Sequence, residues 1–97
     1  MDILTKVARW RLLQQCRWAI RKSYKEGRIF FSIDGQEVAY TDKRTKITKM
    51  QSVDDLAVFL WMKMSGELTG VARTNLAVFD ITSKDIRQII LDVGAKR

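Results

Sequence analysis

The chain has 97 residues, of which 46% are hydrophobic and 30% charged, a balance that fits one packed domain spanning 1–97. One cysteine and no histidine exclude an internal disulfide and a zinc site of the usual ligands, and they remove the commonest general base. No apolar run approaches the roughly 20 residues of a spanning helix, so a cytoplasmic protein without metal or cofactor is expected.

The net charge of +7 is unevenly placed. Twelve of the eighteen Lys and Arg residues and five of the eleven acids fall in residues 1–50, so the whole excess lies there and the remainder is neutral. A one-sided distribution of this kind argues for an anionic partner.

Residues 2–26 predict a long helix ended by Gly27. Ile3, Val7, Trp10, Leu13, Cys16, Ile20 and Tyr24 recur at steps of three or four, which predicts one apolar stripe. Residues 28–33 are β-branched and aromatic, and Asp34-Gly35 between them and 36–41 predicts a two-residue type I′ hairpin. That register pairs Ile29 with Tyr40, Phe31 with Val38 and Ile33 with Gln36, on one face. Residues 44–50 read as a third, cationic strand.

Ser52-Val53-Asp54-Asp55 carries the signs of a helix start, with Ser52 as cap and acids in the first turn. The helix runs to about Ser65, with Val53, Leu56, Ala57, Leu60 and Met64 toward the core. Residues 66–75 are expected to be the least regular, and Leu76 to Ile81 are a candidate short fourth strand. Ser83 then caps a helix over 84–93 that buries Ile86, Ile89, Ile90 and Val93, with Gly94 just past its end. The expected fold is α+β: a long N-terminal helix, a three-stranded antiparallel meander, then two helices packed on one face of the sheet.

The order α-β-β-β-α resembles that of double-stranded RNA-binding domains. The likeness covers order alone. That family's loop residues and the lysine cluster at the start of its last helix are missing, and Asp54 and Asp55 would repel phosphate at that point. No family is assigned on it.

The residues that carry a functional expectation are cationic. Arg11, Arg17, Trp18, Arg21, Lys22 and Lys25 lie away from the stripe on the first helix. There cations neutralise phosphates and an indole stacks on an exposed base. Lys43, Arg44, Lys46 and Lys49 would extend that footprint, although lysines on an edge strand also serve to block aggregation. The expectation is a small basic nucleic-acid-binding accessory or regulatory domain, DNA or RNA. The alternative is a small protein-binding module, such as an inhibitor, docked on an acidic partner. Phe59, Trp61 and Met62 exceed what one helix stripe needs, and they are the candidate interface for a protein partner or a homodimer. Membrane-surface contact through the basic first helix is set aside on the premise that the hairpin covers its apolar face. An enzyme is not expected: Cys16 sits in the stripe without a base, and a histidine-free RNA-cleaving site using Tyr24 or Tyr40 near Arg28 suits the helix-first order poorly.

Overall fold

The computed structural model describes residues 2–67 and 76–95. The fold is α+β, as expected: helix α1 (Ile3–Lys25), strands β1 (Ile29–Phe31), β2 (Glu37–Thr41) and β3 (Thr48–Ser52), helix α2 (Val53–Glu67), a 3-10 turn (Leu76–Phe79) and helix α3 (Ser83–Ala95). The strands form one antiparallel sheet in the order β1-β2-β3. No helix among the described residues is long and apolar enough to cross a membrane. Residues 68–75, most of the segment expected to be least regular, lie outside the described residues.

The ends of α1 follow from its sequence. Asp2 caps it, its carboxylate accepting from the Thr5 N–H at 2.7 Å. At the other end Gly27 adopts φ +78, which lets the Gly27 N–H reach the Tyr24 carbonyl and the Arg28 N–H reach the Ser23 carbonyl. This pair of bonds closes the last turn and swings the chain into β1.

The apolar stripe of α1 is only partly a core face. Cys16 and Ile20 are buried, and Leu13 and Tyr24 pack against the core. Ile3, Val7 and Trp10, expected in that stripe, are exposed instead. Steps of three and four drift around a helix that turns about 100° per residue. The line that ends at Cys16 and Ile20 begins at Thr5 and Arg9, and Arg9 pairs with Asp85 of α3 at 3.6 Å. Ile3, Val7 and Trp10 thus fall on a different face of α1 from the line that meets the core.

The hairpin keeps the expected register, Ile29 with Tyr40 and Phe31 with Val38, but not the expected turn. Ser32 and Glu37 close it instead, leaving 33–36 as the loop and Ile33 fully exposed. Only Gly35 has a positive φ there. The Asp34 carboxylate accepts from the Ser32 hydroxyl at 2.6 Å and the Gln36 N–H at 3.0 Å, a local closure that replaces the type I′ turn.

The third strand starts later than expected, at Thr48. Asp42 is the cause: its carboxylate accepts from the Arg44 N–H and the Thr45 hydroxyl, and its carbonyl accepts from the Lys46 N–H, with Lys46 at φ 64. Lys43, Arg44 and Lys46 thus stand on a turn, and Lys49 alone of that group is in β3.

Ser52 ends β3 and caps α2 by accepting from the Asp55 N–H at 3.1 Å. The five apolar residues expected to face inward from α2 are buried, as are the four of α3. The candidate fourth strand is a 3-10 turn. Leu76 and Ile81 are both fully buried while Ala77 and Val78 are exposed, and the Ile81 N–H closes back on the Leu76 carbonyl at 3.0 Å. A four-residue apolar run does not distinguish strand from turn by periodicity. Thr82 rather than Ser83 caps α3, exchanging bonds with Asp85 and Lys84. Gly94 lies inside α3, where an added Cβ would stand 3.0 Å from the Phe31 ring.

Candidate nucleic-acid interface

A groove of about 710 Å³ opens between the C-terminal half of α1, the β2–β3 turn and α2. Four separate elements send cations into its lining: Lys22 from α1, Arg28 from the segment before β1, Lys43 and Arg44 from the turn, and Lys63 from α2. Trp18 and Phe59 stand on its walls, 63% and 44% exposed. The Lys22 ammonium lies 4.9 Å from the Trp18 ring centroid, and Phe59 meets Tyr40 edge-on with centroids 5.8 Å apart. A cation over an indole face holds both groups in one place without using the outer face of the ring.

The acids near the groove are already engaged. Asp42 is the acid in the lining. Its carboxyl is held below the usual range by the Arg44 N–H first and then by the Lys63 ammonium. Glu26 is held low by its hydrogen bond from Arg28, and further by the charges of Arg28, Lys43 and Lys22. Lys22 and Lys43 thus face the same carboxylate from different elements. Lys63 donates to the Tyr40 hydroxyl and to Asp42, each at 3.2 Å. Burial works against its charge, yet these two bonds raise its pKa above the ordinary value. Among the described residues Lys22, Lys43 and Arg44 have no carboxylate within salt-bridge distance. Their charge is available to an external anion.

Of the residues expected to bind, Trp18, Lys22, Lys43 and Arg44 are brought together here. Arg28 and Lys63 join them. The sequence held no local signal for those two, because only the return of β1 and the packing of α2 place them beside the turn. Arg17 and Arg21 fall on the other flank of α1, and Arg17 is half-buried with its Nε shielded and without a hydrogen-bond partner. Arg11 and Lys25 are exposed on α1 outside the lining of the groove. Lys46 is exposed on the turn.

A second groove, about 530 Å³, adjoins the first along α2. Ile47, Lys49, Val58, Phe59 and Met62 line it. Phe59 and Met62, expected at a protein interface, are therefore exposed beside both grooves. Trp61 does not accompany them. It is half-buried against the core, and its indole N–H donates to the Ile81 carbonyl at 2.7 Å.

Comparison with protein-family models, with curated proteins and with solved structures finds no match. The class that fold and site define is thus an α+β domain with a cationic, aromatic-walled groove, and the functional reading starts from that groove.

Proposed function

We propose that this chain is a small basic nucleic-acid-binding accessory or regulatory domain that takes an unpaired stretch of strand into the Trp18 groove. The observation that carries the reading is the convergence of Lys22, Arg28, Lys43, Arg44 and Lys63 on two exposed aromatic rings, with each nearby carboxylate already paired. Cations along a groove track phosphates, and aromatic faces accept bases of any sequence. Rings on the walls of a groove suit unpaired bases, whose faces are free to stack. Nothing in this arrangement needs turnover, and the reading is of a binding module.

The test is anisotropy of a labelled 20-nucleotide single strand, DNA and RNA, titrated at several salt concentrations. Three phosphate contacts, from the uncompensated Lys22, Lys43 and Arg44, predict a slope of log affinity against log salt of about −2 on a single strand. Trp18→Ala should weaken binding about fivefold or more, since a stacked base contributes roughly 1–3 kcal/mol. Salt-independent binding, or equal binding by the Trp18→Ala protein, would falsify the reading.

The second groove supports the alternative, a protein-binding module or inhibitor docked on an acidic partner. Ile47 and Met62 are 67% and 66% exposed there, and Lys49, Asp42 and Asp55 share the lining, so the support is its apolar surface rather than its charge. Of these two grooves, Ile47 lines the second and not the first, and Trp18 the first and not the second. Loss of a protein partner on Ile47→Asp, with single-strand binding intact, would favour the alternative.

A further inference from the structure

The first turns of α1 carry a second surface that nucleic-acid binding does not use. Ile3, Leu4, Val7 and Trp10 are 77%, 81%, 43% and 61% exposed. They face away from the line of Arg9, Cys16 and Ile20 that meets α3 and the core. Helical spacing puts Lys6 at one edge of them and Arg11 between Val7 and Leu4, and both cations are exposed. The acid in this stretch, Asp2, is committed to capping the helix. Beyond it α1 has no carboxylate through Lys25. The premise on which membrane contact was set aside, an apolar face covered by the hairpin, fails for these turns.

We propose that the N-terminal half of α1 is a docking face for an anionic lipid surface. Exposed apolar side chains on one helix face, interleaved with long cations and including a tryptophan, match what an interfacial helix presents: the apolar groups enter the headgroup boundary while Lys and Arg reach back to the phosphates. Charge complementarity selects this occupant over a second copy. A copy would bring Lys6 and Arg11 against the same residues with no acid to offset them. It would also meet only four apolar side chains, where a standard protein interface engages roughly 20–30 residues a side.

The test is sedimentation of the full-length protein with vesicles of phosphatidylcholine alone and with 30% phosphatidylglycerol. The expected result is binding to the anionic vesicles, at least tenfold weaker to the neutral ones. Leu4→Ser/Val7→Ser/Trp10→Ser should lower anionic-vesicle binding at least tenfold. Because these side chains are exposed, the variant should keep its helical circular dichroism and its single-strand affinity. Lys43→Glu/Arg44→Glu should do the reverse, so failure of this inference is separable from failure of the groove reading. Absence of vesicle binding overturns the proposal, as does equal binding by the triple-serine protein. A concentration-dependent dimer mass in light scattering that the triple-serine change abolishes would also overturn it, in favour of a second copy.

Discussion

The Lys63 ammonium donates to Asp42 at 3.2 Å and so ties α2 to the turn that carries Lys43 and Arg44. Asp42 also organises that turn from inside, by accepting from the Arg44 N–H and the Thr45 hydroxyl. The groove is thus held open by a contact between its own walls. Asp42→Ala should lower the thermal midpoint and weaken single-strand binding, although it removes a negative charge from a site proposed to bind an anion. The sign with pH follows from the direction of the Asp42 shift. A carboxyl held low in the folded state stabilises above its unfolded pKa and loses that effect as pH falls through the folded value. The gap in midpoint between wild type and Asp42→Ala should therefore be full at pH 7 and close below about pH 4. A gap independent of pH would mean that the charge of Asp42 is not what matters.

Trp61 anchors the chain after the 3-10 turn through its bond to the Ile81 carbonyl, and Ile81 is fully buried. Trp61→Phe keeps a ring but leaves that carbonyl without its donor. The expected loss is about 2 kcal/mol in urea unfolding, from an unsatisfied buried acceptor plus a smaller ring. If Trp61 acted only at an interface, as its position in the sequence implied, the same change would leave stability within about 0.5 kcal/mol.

The sequence was most legible where one periodicity met one packing face. The inward residues of α2 and α3, and the pairing of Ile29 with Tyr40, follow from spacing because both sides of each contact are local or joined by a short turn. Legibility failed in three physical circumstances. Ile3, Val7 and Trp10 kept the rhythm of a stripe but drift off the line of Arg9, Cys16 and Ile20, and which line of a long helix meets the core is a tertiary quantity. The turns at Asp34 and Asp42 were decided by carboxylates bonding to nearby donors, and these moved the strand ends by several residues. Gly94 read as a helix stop, yet it sits inside α3, where an added Cβ would stand 3.0 Å from the ring of Phe31. For the groove, the sequence located Trp18, Lys22, Lys43 and Arg44 as separate patches. Their meeting depends on how β2 returns along β1 and how α2 crosses behind it, and Arg28 and Lys63 become visible only then.

The hairpin offers a direct check on its turn. Ile29 is buried at 1% exposure, whereas Ile33 is fully exposed in the 33–36 loop. Ile29→Ala should cost about 3 kcal/mol in chemical unfolding, the usual range for deleting a buried Ile side chain. Ile33→Ala should change stability by less than about 0.5 kcal/mol. A two-residue turn at Asp34-Gly35 would instead put Ile33 on the apolar face beside Phe31, and both substitutions would then be costly.

Cys16 supplies the alkaline counterpart of Asp42. It is fully buried on α1, and burial first, with the charge of Asp85 second, pushes its thiol up to about 11 from an ordinary value of 9.0. The native state therefore keeps the proton to higher pH than the unfolded chain does. Below pH 9 both states are protonated and the group has no effect on the pH dependence. Between about pH 9 and 11 the unfolded chain binds fewer protons, so stability falls as pH rises, by roughly 2–3 kcal/mol for a shift of this size. Lysines and tyrosines titrate in the same range, so the measurement is the difference between wild type and Cys16→Ala. At pH 7 the alanine protein should be the less stable by about 1 kcal/mol, through the small cavity left by the sulfur. As pH rises toward 11 the wild type alone loses the thiol contribution, and the difference should shrink and then reverse. In the native protein at pH 8 the same burial should leave Cys16 unreactive toward a thiol reagent until the chain is unfolded. Prompt labelling of the folded protein, or a stability difference that stays constant from pH 7 to 11, would show that Cys16 is open to solvent and that this face of α1 is not packed against the core.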